Sequence, residues 1–384
     1  MNYSEIRKFV APEFLFGKDS RLLAGRYFQN YQIRQLLVVT DPVVSSMPWY
    51  NAILMELNEA GLEYSVFMDV SPNPLDAEVM QGTEIYRSNN CQGILAIGGG
   101  SVIDCAKGIG IVCSNSSHIL NFEGVDQIDT PTPPIICIPT TAGASADVSQ
   151  FAIIRDTQKL KKVAIISKMI VPDLALIDPI VTQTMDPYLT ACTGIDALTH
   201  AIEAFVSTGH SIITDNRAMN AIDLIVEYLP KVLKDLTDID ARFHMMMGSL
   251  EAGLAFSNAS LGAVHAMAHS LGGYYNLAHG ECNSILLHHT INYNFNAVEE
   301  RYKKIMPYFS DYITNPTGNL RTDLVNSVHN FTAKQGIKSG FGDKGVSSDL
   351  LPHLAKNALN DPCIVTNPRD AVQRDLEVIL EESM

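Results

Sequence analysis

From residue 35 onward the chain alternates short apolar runs with longer segments whose apolar residues recur at helical spacing, and this alternation constrains the fold most. The runs are QLLVVTD ending at Asp41, YSVFMDV ending at Val70, GILAIGGGS from Gly93 to Ser101, and PPIICIPTT from Pro133 to Thr141, followed by FAII, VAIIS and LALIDP. Between them lie PWYNAILMELNEAG, DAEVMQGTEIYRSNN and SVIDCAKGIGIVCS. Nearly continuous apolar strands separated by helices imply a mostly parallel sheet covered on both faces. After about residue 185 the strand signal fades. TACTGIDALTHAIEAFVS, TDNRAMNAIDLIVEYLPKVLKDL, DARFHMMMGSLEAGLAFS, VEERYKKIMPYF, RTDLVNSVHNFTAKQG and LPHLAKNALNDP are all helical in period. The expected architecture is an α/β domain over residues 1–185 and an all-α domain over 186–384. The division falls near the Asp-Pro pairs at 178–179 and 186–187.

Charge and cysteine usage narrow the function. A formal net charge of -15 disfavours non-specific binding to nucleic acid or to an anionic membrane, since both need a cationic footprint. No apolar run is long enough to cross a bilayer, and MNYSEIRKFVAPEFLF has no apolar core of the kind a secretory leader carries. The seven cysteines are odd in number and scattered, with no CxxC pair, which is a cytoplasmic pattern.

Two features of the first half bear on ligands. Gly98, Gly99, Gly100 and Ser101 stand between an apolar strand and a helix that continues through Asp104 and Lys107. Glycines there let a phosphate approach the backbone, and the helix N-terminus offers it free N–H groups. A tight turn is the plainer use of the same residues, and the pattern is not GxGxxG. Asp41 closes the first clear strand, where a carboxylate can bind ribose hydroxyls and repel a 2′-phosphate; an Asp-Pro turn is the alternative. Together they favour a dinucleotide, NAD over NADP. Thr140 and Thr141, in PTTAG, end another strand with hydroxyls suited to phosphate or nicotinamide contact.

In the second half, LGAVHAMAHSLGGYYNLAHGEC (residues 261–282) carries His265, His269 and His279 among small apolar residues. The first two share a helix face, and the third follows a Gly-Gly pair where a helix can end. Asp196 and His200, in GIDALTHAIE, are also four apart in apolar surroundings. A hydrogen-bonded Asp–His pair and separately buried histidines are the bland readings. One carboxylate with three imidazoles would instead suit a first-row divalent ion such as Fe2+, Zn2+ or Mn2+, with a position left for substrate.

GGGSVIDCAKGI, PTTAGASADVSQFAII, LIDP, LTACTGIDALTHAIEAFVSTG, GLAFSNASLGAVHAMAHSLGG, HGECNSILLHH and KNALNDPCIVTNPR resemble, in order, the landmarks of the iron-containing (group III) alcohol dehydrogenases. TTAGASADVSQF and MDPYL are most similar to the branch called ErcA-like. The resemblance implies an N-terminal nucleotide-binding domain, a C-terminal helical metal domain and a site in the cleft between them. It assigns Asp196, His200, His265 and His279 as metal ligands and places His269 near nicotinamide and substrate, as the candidate proton relay. For the cofactor it implies Asp41 at the adenosine ribose with Asn73 nearby, and Gly98, Gly99, Gly100, Ser101 and Asp104 around the pyrophosphate. Thr140 and Thr141 lie along the dinucleotide and Lys162 near ribose hydroxyls. Phe151 is expected on the substrate side, favouring a small or apolar alcohol. Two departures stand out: Ala144-Ser145-Ala146-Asp147 replaces the commoner Thr-Gly-Ser-Glu, and Asp186 replaces a proline. The expected activity is hydride transfer between NAD(H) and a small primary alcohol or aldehyde, in a cytoplasmic homodimer or larger homo-oligomer. A glycerol-type polyol dehydrogenase and a low-turnover NAD- and metal-sensing regulator are the alternatives.

Overall fold

The computed structural model of the chain describes residues 6–337 and 340–384; the first five residues of the stretch read above for a leader lie outside them. Among the described residues nine strands precede residue 178: β1 Glu13–Phe16, β2 Gln35–Val39, β3 Glu63–Phe67, β4 Gly93–Gly98, β5 Gly124–Val125, β6 Ile135–Pro139, β7 Phe151–Asp156, β8 Lys161–Ile166 and β9 Leu174–Ile177. Six of them form a parallel sheet in the order β1-β9-β6-β4-β2-β3. Successive side chains point to opposite faces, and both faces are buried. Leu37, Val39, Ile94 and Ala96 pack into one core, while Leu36, Val38, Leu95 and Ile97 pack into another.

The order of this sheet creates the crevice. The chain steps outward from β2 to β3, then crosses back over β2 to β4. Connections therefore leave β2 and β4 in opposite directions, and a gap opens beyond the carboxyl ends of these two strands. Asp41 follows the end of β2, Gly98 ends β4 with Gly99 and Gly100 next, and Thr140 follows β6.

Two strand readings need correction. FAII and VAIIS do not continue the parallel alternation: β7 and β8 pair antiparallel and, with β5, form a separate three-stranded sheet. The turn joining them, residues 157–160, is too short for a crossover, since parallel partners need a dozen or more residues. β1 is an added edge strand whose first two residues are exposed, leaving little apolar alternation to read.

From Pro187 onward the described residues are helical. The axis of this part is the helix Pro187–Val206, which buries 16 of its 20 residues. Asp186 caps it by accepting from the Leu189 N–H, and Pro187 occupies the first turn, where its missing N–H costs nothing. The departure at Asp186 thus supplies a cap worth about 1 kcal/mol. The other Asp-Pro pair works similarly, with Asp178 accepting from the Ile180 N–H and pairing with Arg21.

The Gly-Gly pair does not end its helix. Ala263–Tyr275 runs through Gly272 and Gly273 and stops at Asn276, whose φ of 55° is the left-handed conformation. The glycines serve packing instead: a Cβ on Gly273 would lie 2.7 Å from the Lys161 Cα, and one on Gly272 would lie 3.1 Å from Lys162 Nζ. The helices His279–Asn294 and Gln373–Glu382 were not singled out by periodicity. Among the described residues no helix is long and apolar enough to cross a membrane.

Candidate active site

A cavity of about 1040 Å³ runs from the carboxyl end of the parallel sheet to the long helices; the candidate cofactor and ion-site residues line it, except Gly98, which lies just behind the Gly99–Gly100 rim. Asp41 and Asn73 line the sheet end of the cavity. One Asp41 oxygen accepts from the Val43 and Val44 N–H groups, both at 2.8 Å, so this carboxylate caps a helical turn as well as facing the cavity. Asn73 donates to Asn276 Oδ1 at 2.7 Å and so ties the sheet side of the cavity to the end of the histidine helix.

The glycine loop is demanded by close packing. A Cβ on Gly98 would meet the Val102 side chain at 2.5 Å, and one on Gly100 would meet the Ala144 Cβ at 2.6 Å. The helix Gly100–Asn115 starts there with no side-chain cap, leaving its first N–H groups for an anion. The Ser101 hydroxyl donates to the Pro72 carbonyl. Asp104 accepts from the Ile153 N–H, and burial pushes its carboxyl up to about 7 against the pull of Lys107. Burial also lowers the pKa of Lys162, whose side chain lies over Gly272. In the departing loop, Ser145 uses its hydroxyl on the Ser249 carbonyl and is structural.

At the other end the helices bring four groups together. Asp196 and His200 project from Pro187–Val206, His265 from Ala263–Tyr275, and His279 opens His279–Asn294. One potential ligand atom from each lies within 4.8 Å of all the others. Asp196 Oδ1 is 3.8 Å from His200 Nε2 and 3.7 Å from Nε2 of both His265 and His279. Ligands on bonds of ~2.1 Å at tetrahedral angles sit about 3.4 Å apart, so the Asp196 oxygen is within a few tenths of an ångström of that spacing from each imidazole. Burial alone would raise the Asp196 carboxyl, but the surrounding imidazoles outweigh it and hold it below the usual carboxylate range. Burial keeps His200, lowered to about 3, and His279 unprotonated, the form that can ligate. The residues present fit a divalent cation: one anion and converging imidazole nitrogens, one potential ligand atom from each of four buried or half-buried side chains.

Three further residues complete the site and were missed in the sequence. Glu203 lies 2.6 Å from His265 Nδ1 and also accepts from the Gly262 and Val264 N–H groups. One buried carboxylate thus orients the imidazole and holds the start of its helix, the arrangement that fixes a ligand's tautomer. Asp361 Oδ2 lies 2.8 Å from His269 Nδ1, which leaves Nε2 as the ring nitrogen available to the cavity that His269 lines. Asn283 sits one turn beyond His279 with its amide against the cluster. For Glu203 a signal existed: it interrupts the same apolar run that made Asp196 and His200 conspicuous. Asp361 and Asn283 sit in sequence far from, or on the unread helix beside, the groups they serve. His269 lies outside the four-group cluster, stacked 5.4 Å from the His279 ring.

An apolar wall closes the space beside the cluster. Phe256 stacks on His200 at 4.2 Å, and Phe151 meets Phe256 edge-on at 5.6 Å. The whole is a dinucleotide-sized crevice opening onto a buried carboxylate–histidine cluster, the arrangement of a metal-dependent oxidoreductase.

Comparison with known proteins places it further. Residues 11–179 match the family model of iron-containing alcohol dehydrogenase, and residues 190–384 match the C-terminal model of the same family. The chain belongs to the iron-containing alcohol dehydrogenase family and is an alcohol dehydrogenase of that type. It is 34% identical over 377 residues to the NAD-dependent methanol dehydrogenase of Bacillus methanolicus, covering 98% of this chain and 99% of that one. It is also 34% identical to the 1,3-propanediol dehydrogenase of Klebsiella pneumoniae over the full length of both. A crystal structure of a 1,3-propanediol oxidoreductase superposes with a TM-score of 0.94 over 99% of this chain and 100% of that one, at 34% identity.

Proposed function

We propose that the protein interconverts a short primary alcohol and its aldehyde with NAD(H), using a divalent ion held by Asp196, His200, His265 and His279, with iron(II) the first candidate. The observation that carries the reading is that this cluster and the glycine loop open into one cavity. The relatives that carry NAD, methanol and 1,3-propanediol in their names support the cofactor and the size of the substrate. The functional units would be residues 1–185 for the dinucleotide and 186–384 for the ion. When bound, the ion supplies Lewis-acid polarisation of an alcohol or carbonyl oxygen, and NAD supplies the hydride acceptor. The chain's own part is positioning and proton handling. The Gly98–Gly100 backbone and Lys162 orient the dinucleotide, Phe151 and Phe256 keep water from the reacting carbon, and His269 carries the hydroxyl proton away at Nε2. The seven free cysteines agree with a cytoplasmic home, and a homodimer or larger homo-oligomer is the assembly proposed.

Asp41 tests the choice of cofactor. Its carboxylate repels a 2′-phosphate, yet it also caps a helical turn, so Ala would confound two effects. Asp41→Ser keeps an oxygen for the cap and removes the charge. The variant is expected to gain about tenfold or more in kcat/KM with NADP while NAD turnover persists, a shift of ~1.4 kcal/mol in relative transition-state binding. Steady-state NADH and NADPH formation with methanol, ethanol and 1,3-propanediol measures this. An unchanged NADP rate would remove Asp41 from the cofactor site, and no turnover of any short alcohol would overturn the proposed activity.

A further inference from the structure

We propose that Asn283 is a positioning residue of the ion site, holding the ligand groups in a converging array; the proposal rests on the four-group site above. Asn283 is fully buried, one helical turn past His279. Its Nδ2 lies 2.6 Å from Asp196 Oδ1, 3.2 Å from His265 Nε2 and 3.4 Å from His279 Nε2. One side-chain nitrogen therefore reaches three of the four ligand atoms. The orientation of the amide is fixed by chemistry: a carboxylate oxygen at this distance accepts from N–H, whereas the flipped amide would set oxygen against oxygen.

Asn283 Oδ1 is buried without a hydrogen-bond partner among the described residues. A buried acceptor left unpaired is a cost, and it is incurred here because the donor end is required at the cluster. The reason lies in the charges of the cluster. Asp196 Oδ1 carries the negative charge of the cluster, lies 3.7–3.8 Å from each of the three imidazole Nε2 atoms, and is steadied by partial positive charge facing it. The amide N–H groups supply that partial positive charge. They keep Asp196 from turning toward another donor and hold the ring nitrogens aimed inward, so an arriving cation finds the ligands already placed. Glu203 acts on the outer nitrogen of one ligand only; Asn283 acts on the ligating atoms themselves.

The test uses the full chain stripped of metal, with cobalt(II) as the probe ion, in wild type, Asn283→Leu and Asn283→Ser. Leu preserves the volume and deletes the donor, while Ser retains a smaller donor and guards against a folding failure of Leu. Chelator competition is expected to show cobalt(II) affinity lowered about 10- to 100-fold in Leu and less in Ser, as for other groups that orient ligands. The visible ligand-field bands of the bound ion are expected to shift in both variants, and NAD affinity is expected to stay within about twofold, which a merely structural role would not produce. Cobalt(II) affinity within threefold of wild type with unchanged bands would overturn the role of Asn283. Failure of the underlying site has a different signature: wild type itself would bind no cobalt(II), or Asp196→Ala would bind it equally well.

Discussion

Replacing Asp196 with Ala is expected to abolish ion binding and lower kcat/KM by at least about 10³-fold, the several kcal/mol that a Lewis acid contributes to such a reaction. Asp196 is the only carboxylate in the cluster, and its Oδ1 is the atom that all three Nε2 atoms surround at 3.7–3.8 Å. Without it three imidazoles remain and the ion loses its one anionic ligand atom, since the Glu203 carboxylate is committed to the outer nitrogen of His265. Burial keeps His200 and His279 unprotonated, whereas against burial the Asp196 and Glu203 carboxylates hold His265 up at about 9, so an ion binding there displaces a proton. Elemental analysis of anaerobically purified protein, paired with NADH formation, measures both effects. His265→Ala is expected to behave alike. Full ion occupancy in either variant would remove that residue from the ligand set.

Replacing His269 with Ala is expected to leave ion content unchanged while lowering kcat by about 10²- to 10⁴-fold, the range of general acid–base catalysis. Two observations set His269 apart from the four proposed ligands. It stands outside the four-atom cluster, and its Nδ1 is taken by Asp361, so it meets the cavity as a hydrogen-bonded dyad. Asp361→Asn keeps the shape but weakens the orientation of the ring, and a smaller loss is expected. Turnover measured across pH at fixed, verified ion content is the check. A parallel loss of ion and activity would make His269 a ligand instead.

The sequence foretold most where one residue type and one spacing had a single outcome. Buried strands at β2, β4 and β6 are nearly continuous apolar runs, and Asp196–His200 and His265–His269 share helix faces by their four-residue spacing. It was misread where two physical uses share one signal. Gly272-Gly273 could end a helix or admit a close neighbour, and the backbone of Lys161 decided for the neighbour. FAII and VAIIS could be parallel or antiparallel, and only the four residues between them distinguish the two. Glu203, Asn283 and Asp361 were not legible because their meaning depends on partners 62, 87 and 92 residues away. A carboxylate or amide in an apolar helix announces that it needs a partner, without saying which. Asp41 shows the reverse: its capping and cofactor uses coexist in one side chain.

The central claim is that one ion and one dinucleotide act together in this cavity. Metal-free protein titrated anaerobically with iron(II), in saturating NAD and a short alcohol, tests it by the initial rate of NADH formation. The expected rate is near zero without iron(II), rises linearly with it and saturates at one ion per chain. NADH formation at full rate in the metal-free protein, or no rise at any iron(II) or zinc(II) level with folded protein and bound NAD, would contradict it.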